Sequence, residues 1–238
     1  MGVVLTAHAQ DPTAAQSQSQ QDQKAAKAAE KKTEEQKADE QLKQQERQRI
    51  LGVIPEFNTT NLQDAARLTA KQKFSLAFKS ALDPFEFVAA GADAGYSQLT
   101  GAYVGYGQGT EGYAKRFAAS FADSFDGTML GNALLPAIFH EDPRYFRMGT
   151  GSIKSRIWYA TLSTVRARSD NGGWVVNYGN LLGNLAAGGI ANLYYPSSDR
   201  GVGLTFERAL TVSAEGALGA IGYEFWPDIQ RKVFRRHH

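Results

Sequence analysis

His140, Glu141, Asp142 and Arg144 fall within one short stretch, the densest group of ionisable side chains between the two ends of the chain. A histidine beside two carboxylates could serve as a general acid–base site, or supply part of a metal-ligand set. No HExxH pattern accompanies it, and His8, His237 and His238 lie at the chain ends, so no metal and no cofactor is expected. The competing reading is electrostatic. Glu141 and Asp142 then cap helices, Arg144 pairs with a buried acid and His140 fills a polar corner, because structural ion-pair networks imitate active sites. Glu215 and Glu224 interrupt an apolar C-terminal stretch and need partners if buried, with Arg144, Arg147 or Arg156 in reach of the pattern. The candidate catalytic residues are therefore His140, Glu141 and Asp142; the candidate binding residues are Arg144, Arg147, Glu215 and Glu224.

Other chemical motifs are weaker. Gly107, Gly109 and Gly112 have the spacing of a dinucleotide-binding turn, but no strand precedes them and no βαβ unit follows, so they read as a flexible helix entrance. Residues 149–152, Gly-Thr-Gly-Ser, could cradle an anion at a helix start with Lys154 nearby. Neither a G-x-S-x-G elbow nor a GK[ST] phosphate loop occurs.

The elements that must position these groups read as helices. Thr69 and Gln72 form a capping box ahead of Phe74, Leu76, Ala77, Phe78 and Leu82, which give that helix one apolar side. Asp83-Pro84-Phe85-Glu86 stops it and starts another. Phe117, Phe121 and Phe125 then recur every fourth residue on a helix capped by Thr110, with Pro136 ending or kinking it. Asp142 and Pro143 suggest another helix start. A helix over residues 153–169 follows, with Trp158, Leu162 and Val165 inward and Lys154, Arg156, Arg166 and Arg168 on wetter positions. Asp170-Asn171-Gly172-Gly173 is a strong turn. Residues 171–198 carry no formal charge, yet Asn177, Asn180, Asn184 and Asn192 interrupt them, which favours a buried helix with its amides bonded to neighbours over a membrane span. A last helix covers residues 205–226 and breaks near Pro227. Glycine pairs four apart, such as Gly91 with Gly95 and Gly127 with Gly131, predict close helix–helix contacts.

Together these predict an all-α, compact bundle of five or six Gly/Ala-rich helices over residues 50–238. Residues 1–10 read as the remnant of an export signal, with Val3, Val4 and Leu5 leading into Ala7-His8-Ala9. Residues 11–49 are a Gln/Lys/Glu/Ala spacer, helical or disordered, too poor in large aliphatic side chains for a coiled-coil seam. An outer-membrane β-barrel would need many alternating segments of about ten residues, and almost none occur. The chain has no cysteine, which excludes disulfides, thiolate chemistry and a lipidated cysteine. Its net charge of +2 gives no case for a nucleic-acid partner, although Arg231, Lys232, Arg235 and Arg236 could meet headgroups near a membrane.

Several spans resemble a family of uncharacterised exported bacterial envelope proteins: ILGVIPEF at 50–57, LTAKQKF at 68–74, DPF at 83–85, GYGQGTEGYAKRF at 105–117, LPAIFHEDPRYFRMGTGS at 135–152, NLYYP at 192–196 and EFWPDIQRK at 224–232. The resemblance covers about residues 50–238, with HEDPRYFR as its most specific core. It implies an envelope location and a glycine-rich helical domain, and it carries over no activity. The function expected is a non-enzymatic envelope protein, structural or partner-binding, exported to the periplasm or the outer membrane and associated with membrane lipid or another envelope protein. The alternatives are a hydrolase of lipid or cell-wall material using His140, Glu141 and Asp142, and a carrier of an apolar ligand.

Overall fold

The computed structural model describes residues 12–45, 49–50, 54–55 and 58–234. The expected export signal, most of ILGVIPEF and the terminal residues Arg235, Arg236, His237 and His238 lie outside these residues. Helix accounts for 71% of the structure, so the helical class holds in outline. The helices are α1 (Pro12–Gln45), α2 (Ala70–Ala81), α3 (Pro84–Thr100), α4 (Gly109–Met129), α5 (Leu135–Phe139), α6 (Ile153–Leu162), α7 (Tyr178–Ala191) and α8 (Val202–Phe234).

Local chemistry explains the clearest boundaries. Thr69 accepts from the Gln72 amide while the Gln72 side chain accepts from the Thr69 amide, and so α2 begins. Asp83 accepts from Phe85 N at 2.9 Å, with Pro84 leading α3. α4 starts at Gly109, ahead of the expected cap Thr110, on the positive-φ glycines Gly107 and Gly109. It widens into a π turn over Leu130–Leu134 before α5 resumes. Pro136 offers no N–H to the carbonyl four residues back and crowds it; a wider turn relieves that clash.

Short strands join the helices, and here the structure departs from the sequence expectations. β1 (Arg49–Ile50) pairs antiparallel with β2 (Ile54–Pro55), and β3 (Thr59–Thr60) lies parallel to β5 (Tyr145–Phe146). β4 (Glu141–Asp142), β6 (Arg166–Ser169) and β7 (Trp174–Val176) form an antiparallel sheet in the order β4-β6-β7. The expected helix over 153–169 thus ends at Leu162, and its last residues turn into a hairpin around Asp170–Gly173. Arg166, Ala167 and Arg168 alternate with the period of a strand, and the turn closes it onto Trp174. Asp142 and Pro143 start no helix. α8 begins earlier than expected and passes through Pro227 instead of stopping there.

α7 packs on α8, α3 on α4 and α6 on α8. The contacts are tight because small residues face each other: a Cβ placed on Gly183 would sit 2.7 Å from Gly131 Cα. Ala77, Ala94, Ala133, Ala160 and Ala191 are fully buried between helices. Larger side chains often point the other way. On α2, Leu76 and Ala77 are buried while Phe74, Phe78 and, at the C-terminal cap, Leu82 are exposed, and on α6 Arg156 is buried while Trp158 is 66% exposed. The spacer helix α1 is not wholly solvated. Its Ala38 and Leu42 pack with Ala66, Leu68 and Leu76, and Gln72 donates to Glu35 O and Asp39 Oδ1.

Candidate functional site

The charged corner is built where α5 ends and β4 begins. His140 adopts a left-handed conformation (φ 56°) that reverses the chain out of α5. Its side chain stays 69% exposed, and its carboxylate neighbour is Asp170, with Nδ1 3.9 Å from Oδ2. That separation exceeds a hydrogen bond. Asp170 is held instead by the buried ammonium of Lys73, which donates at 2.8 and 2.9 Å and also reaches Pro136 O at 3.1 Å.

Glu141 and Asp142 are both buried in β4, and alternation along the strand separates their carboxylates. Glu141 accepts from Tyr178 N at 2.9 Å and Gly179 N at 2.8 Å, closing the N-terminus of α7 where the unpaired N–H groups favour a negative charge. Burial raises its pKa, and the two amides pull it partly back. Asp142 accepts a guanidinium fork from Arg144, Nε at 2.9 Å and Nη2 at 2.6 Å, while Arg144 Nη2 also donates to Ala66 O. The corner therefore pairs Asp142 with Arg144, turns Glu141 to the N-terminus of α7 and leaves His140 outside both contacts.

Arg147 and Glu224 meet in a second knot, below the corner. Glu224, fully buried on α8, accepts from Tyr145 Oη, Met148 N, Gly149 N and Arg156 Nε at 2.7 to 2.9 Å. Its backbone carbonyl accepts from Arg147 Nε and Arg156 Nη2, one turn before Pro227. Burial would raise the Glu224 pKa, but these donors outweigh it and hold the carboxyl below its usual value. Of the 149–152 turn only Gly149 N, with Met148 N before it, donates to a carboxylate, the protein's own Glu224, while the start of α6 is capped by Ser152. Glu215 lies apart on α8, in a groove with Glu86, Asp93, Asp123 and Arg208.

Sequence reasoning passed over Lys73, Asp170, Arg166 and Arg168. The R-x-R alternation before a D-N-G-G turn would have marked the last two as strand neighbours on one face. Lys73 carried no such mark, since a lysine on an amphipathic helix is ordinarily solvated. Among the described residues no group of three or more His, Cys, Asp or Glu side chains is placed to hold a metal ion. Comparison with known proteins finds no matching family model, no similar curated protein and no similar solved structure.

Proposed function

We propose that this chain is a non-enzymatic cell-envelope protein, structural or partner-binding, that associates with membrane lipid through an apolar exterior. One observation carries the reading: many large apolar side chains lie exposed while several charged ones are buried and paired. Leu99, Val104, Leu193 and Val202 are each at least 74% exposed, while Lys73, Glu141 and Glu224 are at most 1% exposed. Phe74 and Phe78 on α2 with Leu82 at its C-terminal cap, and Val202, Phe206 and Leu210 on α8, make exposed stripes of one large apolar side chain per turn. In water each such side chain forgoes about 1.5–3 kcal/mol of burial. In hydrocarbon that loss vanishes; charges must then be hidden and paired, and helices associate through small residues. The bundle of five or six Gly/Ala-rich helices belongs to the same proposal.

Among the described residues no helix is long and apolar enough to cross a membrane. The association proposed is therefore lateral, with helices lying in the interface. Export to the periplasm or outer membrane is supported by the Ala7-His8-Ala9 pattern, which lies outside the described residues. Neither the hydrolase nor the apolar carrier has an observation of comparable weight, for the corner binds its own carboxylates to donors and its walls are charged. Cell fractionation with an alkaline carbonate wash tests the proposal. The protein is expected to stay with the membrane pellet. Release into the soluble fraction overturns lipid association, and a lipid-free oligomer of fixed size would assign the apolar surface to a protein partner.

A further inference from the structure

Behind the charged corner lies a cavity of about 210 Å³, walled by the β4-β6-β7 sheet, the π turn and α8. It is smaller than the roughly 300–1,000 Å³ of pockets that take drug-sized ligands, and it suits one compact group. Three guanidinium groups line it, from Arg144, Arg166 and Arg168. Arg144 is 4% exposed, and its Nη1, Arg166 Nε and Arg168 Nε are all buried without a hydrogen-bond partner among the described protein groups. A buried, unpaired N–H on a cation is costly, and folds rarely tolerate one without an acceptor nearby. Three around one space point to an anion.

We propose that this cavity binds a phosphate-type oxyanion, either free phosphate or a lipid headgroup, between Arg144, Arg166 and Arg168. The local charge favours it. Asp142 is already occupied by Arg144, and Glu141 by the α7 amides, so the carboxylates lining the cavity are spent and one positive charge is in excess. The Arg166 side chain makes no ion pair and no hydrogen bond among the described residues. It is held by stacking, its Cζ 4.1 Å from the Trp174 ring centre and 5.3 Å from that of Tyr159. Arg168 shares the Trp174 face at 4.7 Å and is tethered by Gly172 O and Gln63 Oε1. The rings thus fix two guanidinium planes while leaving N–H groups free, which is how arginine is prepared for phosphate. Three guanidinia from separate chain positions suit a group with three terminal oxygens better than a planar carboxylate. Asn58 also lines the space, and its Oδ1 has no partner; turned end for end, the amide presents an N–H.

The inference does not depend on membrane association, because free phosphate can reach the site without lipid. The test uses the full chain in neutral detergent, titrated with inorganic phosphate at constant ionic strength and followed by calorimetry and ³¹P line broadening. In parallel, flotation compares phosphatidylcholine vesicles with and without phosphatidic acid. Saturable phosphate binding is expected, reduced about tenfold or more in Arg166→Gln, since one charge-assisted bond is removed. Arg166→Lys keeps the charge, loses the fork and should fall between the two; it also supplies the comparison if the glutamine variant unfolds. Binding of inorganic phosphate assigns the soluble ligand, and a response to phosphatidic acid alone assigns the headgroup. Silence in both arms, or undiminished binding by a folded Arg166→Gln, overturns the proposal. Phosphate binding by a protein that floats with no vesicle would sink the membrane reading and leave this one standing.

Discussion

Glu224 receives its four donors from three separate places in the chain, Tyr145, the 148–149 turn and Arg156, so a single carboxylate ties α8 to β5 and α6. Glu224→Gln keeps the volume but sets an NH₂ against N–H donors and removes the charge facing Arg156. Breaking a buried ion pair costs about 3–5 kcal/mol, and the low end is expected because Asp228 still pairs with Arg156. The pH dependence follows from the direction of the shift. The unfolded chain binds a proton at the ordinary glutamate value of 4.5, whereas the folded carboxyl holds out to lower pH. Its stabilisation is therefore complete above 4.5 and disappears as the pH falls through the depressed folded value. Thermal melts followed down through the carboxylate range should show a shallower acid decline in the variant than in the wild type. An unchanged slope together with an unchanged neutral transition would remove Glu224 from its central place.

At the level of elements, stability depends on how closely the helix backbones approach. Gly183 on α7 rests against the π turn, where an added Cβ would meet Gly131 Cα at 2.7 Å and Gly131 N at 2.9 Å, both backbone atoms that cannot rotate away. Gly183→Ala should destabilise by about 1–3 kcal/mol through overpacking, measured by chemical denaturation. Gly189→Ala, on the same helix with nothing within 4 Å, should be neutral or stabilise by up to about 1 kcal/mol. Equal effects would show that α7 does not depend on backbone contact. The starts of α2 and α3 were legible in sequence because Thr69, Gln72, Asp83 and Pro84 act within one turn. The hairpin after α6 was not, since Val165 extends the apolar period of Trp158 and Leu162 and masks the alternation beyond it. Of the corner, the sequence marked Glu141, Asp142 and Arg144 by their density. The alternation of Arg166 and Arg168 could mark them as neighbours on one face but not their approach to the corner, which depends on β4 pairing with a strand some twenty-five residues later.

The orientation of the helices is a property of the whole molecule, and it was the least legible feature. Sequence patterns assign apolar stripes to the core by assuming water outside. On α6 that assumption places Trp158 inside and Arg156 outside, and the fold does the reverse because Arg156 must reach Glu224 and Asp228. If the exterior is made for lipid, its side chains contribute to partitioning and little to folding. Replacing Leu99, Leu193, Val202 and Leu218 by glutamine changes residues that are 69–89% exposed and spread over the α3, α7 and α8 regions. The thermal transition in detergent should move by no more than about 0.5 kcal/mol per site, as for surface positions elsewhere. Binding to uncharged phosphatidylcholine vesicles should fall more than roughly a hundredfold, since each site forfeits part of the 1.5–3 kcal/mol that an apolar side chain gains on leaving water. Collapse of the transition would instead mean that these side chains pack against protein, and the apolar exterior would then be an interface between chains. A variant that keeps both its transition and its vesicle binding would leave the exposed apolar side chains without a solvent to explain them, and the lipid reading would fail at its foundation.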